Sequence, residues 1–164
     1  MKGTGLKFLC RRIAAGAFLP AVLLTGCSGN PMAALYDNES AIVSDSNSYN
    51  LDGLTQQIED DTLEITVEKM EGMDTIWSFE ADYEAEISMT YRISLESGKL
   101  KLVLISPDGD LTTLAECSPD MGLNGESIIP IEPGVNRIKV VTDEDTKFTL
   151  DLSIPEGELR ELGF

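Results

Sequence analysis

Carboxylates are the side chains that could carry chemistry in this sequence. There are 29 Asp and Glu against 12 Lys and Arg, and no histidine. Without an imidazole there is no Ser-His-Asp or Cys-His nucleophilic pair and no His-ligated metal site. Carboxylates alone either hold hard cations or work in pairs as acid and base. Asp108 and Asp110 flank Gly109 in one turn, and Asp143 and Asp145 flank Glu144 in another. Oxygen ligands on loops suit Ca²⁺, but neither stretch has EF-hand spacing, and aspartate is also a turn residue because its side chain bonds nearby backbone. No cofactor is assigned; Asp108, Asp110, Asp143 and Asp145 stand as candidate calcium ligands. Glu84 and Glu86 are the carboxylate pair a glycosidase could use. Trp77, Tyr83 and Tyr91 are the rings that could stack on a ligand, although Trp77 shares its face with Phe79 and Ala81 and so fits a core.

The amino-terminal 26 residues form an address label. They hold four basic residues and no acidic one, followed by the apolar run Ile13 to Leu24. Twelve helical residues would rise about 18 Å, short of the roughly 30 Å hydrocarbon core, so the pattern is that of a secretory signal rather than a span. Leu24-Thr25-Gly26-Cys27 resembles the bacterial lipobox. That resemblance implies cleavage between Gly26 and Cys27, diacylglycerol on the Cys27 thiol, and a mature protein anchored on the extracytoplasmic face of a membrane. Ser28, where an Asp would favour inner-membrane retention, implies outer-membrane sorting if the host has two membranes.

Cleavage there removes Cys10 and four of the 12 basic residues, leaving −21 on the mature chain. Nucleic acid and anionic headgroups would be repelled. With Cys27 carrying lipid, Cys117 has no second thiol in the mature domain, so packing rather than a disulfide must hold the core. No His is present to activate it, and Glu116 and Asp120 oppose a thiolate.

The elements that must position these groups are strands. From Ser28 to about Asp61 the chain is rich in Ser, Asn and Asp, and it reads as a flexible tether spanning roughly 30 Å, enough to hold a domain clear of the headgroups. Beyond it the period is two. Leu63, Ile65 and Val67 alternate with Glu64, Thr66 and Glu68. Ile87, Met89, Tyr91, Ile93 and Leu95 alternate with polar neighbours, as do Phe148, Leu150, Leu152 and Ile154. Leu100 to Ile105 is apolar on both faces apart from Lys101, as a central strand would be. Pro130 makes Ile128–Ile131 an edge strand. Turn residues at Ser97-Gly98, Pro107 to Asp110 and Glu132 to Gly134 separate the runs.

About eight strands are expected between Thr62 and Ile154, with no long amphipathic helix. The fold class is all-β: a single antiparallel β-sandwich, jelly-roll-like or immunoglobulin-like. The organisation is signal peptide 1–26, lipidated tether 27–61 and sandwich domain 62–164. SGKLKLVLISPDG and GVNRIKVV generically resemble small sandwich modules that accompany secreted bacterial enzymes, a likeness that transfers no site. Two functions remain. One is a non-catalytic surface lipoprotein whose sandwich binds a protein or glycan or supports the envelope. The other is a small hydrolase, or an accessory subunit of an extracellular carbohydrate-active complex.

Overall fold

The computed structural model describes residues 30–119 and 122–164. A 3₁₀ turn over Ala33–Asp37 and a short helix α1 (Glu39–Ile42) precede eight strands: β1 (Ser48–Glu59), β2 (Thr62–Ala81), β3 (Ala85–Ser97), β4 (Leu100–Ile105), β5 (Leu111–Cys117), β6 (Gly122–Ile131), β7 (Gly134–Ser153) and β8 (Glu158–Leu159). All pairings are antiparallel. The fold is an all-β antiparallel sandwich made from one continuous sheet bent into two layers.

Two 20-residue strands make the bend. The first part of β2 (62–67) pairs with β1 and with the last part of β7 (148–153), which in turn pairs with β3; β6 closes that layer. The second part of β2 (73–81) pairs with the first part of β7 (134–142), which pairs with β4, then β5. Between the layers both strands turn a corner. Register slips mark it at Val67/Met70 and Met70/Gly72, with Gly72 at φ +105° and Asp145 at φ +51°. At Gly72 a Cβ would lie 2.2 Å from the Ser48 carbonyl oxygen, so only glycine lets β1 start against it.

This corrects the expected segmentation. Six strands, not eight, lie between Thr62 and Ile154, because each expected break in β2 and β7 is a bend. Asp143-Glu144-Asp145 does supply turn conformation, but the turn redirects a strand instead of reversing it.

The main core lies between the layers. It holds Leu63, Ile65 and Val67 with Ile93, Leu150 and Leu152 from one layer, and Trp77, Leu102, Leu104, Ile138 and Val140 from the other. As expected, β4 is central and β6 is an edge strand. The two apolar faces of β4 have a specific cause: Val103 and Ile105 point outward with Met73 and Val141, under Tyr36 and Ile42.

The tether expected over 27–61 is therefore corrected where the structure describes it. Residues 33–43 lie on the outer face of the second layer, and β1 pairs with β2 along eleven positions, Ser48 through Glu59. Polar groups fasten what apolar contact begins. Lys139, fully buried, donates from Nζ to the carbonyls of Ser44 and Ser46, each at 2.8 Å. Arg137 donates to the Val43 carbonyl at 3.1 Å and pairs with Asp45. The sequence window hides this because its apolar residues are few; they count only when laid on a sheet face that is itself apolar.

Candidate functional site

Among the described residues no other element covers the outer face of the first layer, and cross-strand register builds a row of polar side chains there. Gln57 on β1 stands opposite Glu64 on β2, Glu64 opposite Asp151 on β7, Asp151 opposite Arg92 on β3, and Arg92 opposite Asn124 on β6. Side chains on one face recur every second residue, so rows of hydroxyls flank this rung. On one side stand Thr55, Thr66, Thr149 and Ser94; on the other, Thr62, Ser153 and Thr90. At about 4.8 Å between strands, the five-residue rung runs roughly 19 Å across the sheet.

The surface is hollowed along this rung. An open furrow of about 540 Å³ is lined by Glu64, Arg92, Asn124, Asp151 and their hydroxyl neighbours. A second hollow of about 420 Å³ adjoins it on the β1 side and shares Glu64 and Asp151. Gln57 donates to Glu64 at 2.6 Å, and Arg92 lies 3.6 Å from Asp151. Both members of the second pair are substantially exposed, and such pairs contribute little to stability. The guanidinium and carboxylates are thus free to re-pair with a ligand at small cost. Planar amide, carboxylate and guanidinium groups between rows of hydroxyls can donate to and accept from many hydroxyls at once.

The expected site residues fall in separate places. Tyr91, half-buried, borders the furrow opposite Gly125, where a Cβ would meet the Tyr91 hydroxyl at 2.6 Å; glycine lets the ring lie across β6. Tyr83, 74% exposed, belongs to a different hollow of about 300 Å³ with Phe79, Asp82 and Glu86. Trp77 is fully buried and donates from Nε1 to the Glu156 carbonyl at 2.7 Å. The three rings form no common platform, and Trp77 is a core residue. Glu84 is exposed in the β2–β3 turn and Glu86 lies on the open outer side of β3, with no closed cleft between them.

The four candidate calcium ligands are also separated. Asp143 sits beside Lys99 before the start of β4, and Asp108 and Asp110 follow its end, about 20 Å of strand away. Asp143 accepts from the Lys99 amide at 2.6 Å and from the Thr146 hydroxyl at 3.1 Å. Asp145 pairs with Lys69. Among the described residues no group of three carboxylates or thiols converges to hold a metal ion. Cys117 is buried, and burial pushes its thiol pKa up. Gly26 and Cys27 lie outside the described residues.

No family model matches this chain, and no curated protein matches it. Solved structures with a similar arrangement include a family 29 carbohydrate-binding module, at 12% identity and a TM-score of 0.40, covering 68% of this chain and 80% of that one. A variant of such a module complexed with mannohexaose gives 13% and 0.38, covering 68% and 82%. Another, complexed with cellulohexaose, gives 11% and 0.39, covering 68% and 94%. No residue role or ligand passes from them to this chain.

Sequence reasoning placed Glu64, Arg92 and Asp151 on wet strand faces but missed that they share a rung. The alternation was visible; the register joining positions up to 87 residues apart (Glu64 and Asp151) was not.

Proposed function

We propose that this chain is a non-catalytic, membrane-anchored binding module whose furrow takes a neutral glycan. The supporting observation is the rung Gln57–Glu64–Asp151–Arg92–Asn124 between its rows of hydroxyls. Protein partners usually bring an apolar, charge-depleted centre, whereas this face is polar at its centre and open along its length. The −21 charge of the mature chain opposes an acidic polymer, and the rows of hydroxyls and amides suit an uncharged, hydroxyl-rich chain. An open furrow without a closed cleft also fits binding better than hydrolysis. Anchoring rests on the lipobox resemblance at Cys27.

Calorimetric titration of the mature protein with a panel of neutral oligosaccharides, six sugars long, tests the ligand. Arg92→Ala and Glu64→Ala should each weaken binding about tenfold, as loss of one charge-assisted hydrogen bond implies, while melting temperature stays near wild type. Absence of binding across the panel, or variants binding like wild type, would refute the assignment.

A further inference from the structure

Residues 30–47 leave almost no free chain between the anchor and the domain. The Asn30 side chain donates to Glu71 Oε2 at 2.6 Å, and the Asn30 backbone carbonyl accepts from the Ala34 amide at 3.1 Å. Glu71, 3% exposed, also receives Asn50 at 3.2 Å and Lys69 at 3.2 Å. Farther along, Tyr36 donates to Glu116 at 2.8 Å, and Lys139 and Arg137 hold the carbonyls of Val43, Ser44 and Ser46. The segment has no slack to release. From Cys27 to Asn30 there are three peptide links, which extend at most about 11 Å whatever their conformation.

Glu71 lies at the corner where β2 passes between layers. Four of the eight basic residues beyond the signal are at or beside this corner: Lys69, Lys99, Lys101 and Lys147. Lys101 and Lys99 stand over the Tyr36 ring, 4.6 and 5.8 Å from its centroid. Charge does not select the surface, because Lys69 pairs with Glu71 and Asp145, Lys147 with Glu68 and Glu96, and Tyr36 is buried; the short reach from Cys27 to Asn30 brings this corner to the headgroups.

We infer that the corner around Glu71 and Lys69 rests against the phospholipid headgroups of the membrane holding Cys27, so that the domain lies on the bilayer instead of standing off it. The inference rests on the lipid-anchor reading. The outward end is then the β2–β3 turn at Tyr83, which follows nine residues of strand after Gly72, roughly 30 Å away. The furrow rung lies between, five residues beyond Thr146 on β7.

The test uses lipidated protein in phosphatidylcholine vesicles containing a nitroxide-headgroup lipid. A fluorophore is placed on Glu144→Cys at the corner or Tyr83→Cys at the far end, both exposed positions; Cys117 is 1% exposed and shielded from the dye. Flotation first separates the two ideas: wild type should float with vesicles and Cys27→Ser should not. If wild type does not float, the anchor reading fails and the inference with it. Among floated proteins, quenching at 144 should exceed that at 83 at least about threefold, given reaches of about 11 Å against about 30 Å. Inserting about twenty Gly/Ser residues after Gly29, a coil of about 25 Å, should erase the contrast. Equal quenching at both sites in floated protein, or a contrast that survives the insertion, would overturn the orientation while leaving the anchor intact.

Discussion

Glu71 shows how one buried carboxylate can tie three segments together. Hydrogen bonds from Asn30, then Asn50 and Lys69, and from the Asp145 amide hold its pKa at about 2 against burial, which acts upward. Because the folded value lies below the ordinary 4.5, the stabilisation is complete above about 4.5 and fades as pH falls toward about 2. Melting temperature should therefore drop across that window in wild type. Glu71→Gln should be less stable at pH 7 and show a flatter acid limb in thermal melts from pH 2 to 6; an unchanged limb would assign the acid sensitivity elsewhere. Lys139 has the same sign of linkage in a higher window. Burial, aided by Arg137, pushes its pKa down to about 8, so this group's contribution improves between about 8 and 10.5 as the folded state sheds its proton first. Little of this was legible in sequence. Trp77 could be placed in the core because its neighbours at i+2 and i+4 are apolar. Nothing local marks Glu71 as different from the other acidic residues, since its partners other than Lys69 come from residues 21 to 74 positions away.

At the level of elements, the amino-terminal segment is part of the fold. Tyr36 and Ile42 are buried on Met73, Val103, Ile105 and Val141, and burying two such side chains contributes about 3–6 kcal/mol. A protein beginning at Leu51 should melt at least about 10 °C below one beginning at Ser28, by scanning calorimetry, given a few degrees per kcal/mol at this size. Coincident melts would mean that residues 28–50 are dispensable, as the composition of the segment alone suggests. The strand pattern itself was readable: alternation identified the inward residues of β2, β3 and β7, and two-faced apolarity marked β4. Composition failed where a bend imitates a break. Glu68 to Asp74 and Thr142 to Asp145 interrupt the alternation as loops do, yet Lys69 to Asp74 stay paired with β1 or β7, Thr142 with Gly72, and the Asp143 amide with the Lys99 carbonyl. The same apolar excess on Val103, Ile105 and Val141 that identified a central strand also required a cover, and the only described segment left to supply it was the one read as coil.

The whole molecule combines a bent sheet with a large charge of one sign. Mutual repulsion among the carboxylates weakens the compact state most when screening is poor. Sodium chloride should raise the melting temperature of the mature domain, most steeply below about 0.1 M, where the Debye length exceeds roughly 10 Å. Since no three carboxylates converge among the described residues, Ca²⁺ and Mg²⁺ at equal ionic strength should act alike. A calcium-selective rise lost in Asp143→Asn would reverse that expectation. The shared strands set a schedule as well. A chain emerging amino end first can form the β1–β2 ribbon early, but β2 must wait for β7 to complete either layer, because Leu63 pairs with Leu152 and Ala81 with Gly134. Until β7 arrives, the ribbon carries an unpaired edge and an uncovered apolar face. Completion is therefore an all-at-once event that waits for β7: a long interval in which the polypeptide remains threadable and adhesive, followed by abrupt closure.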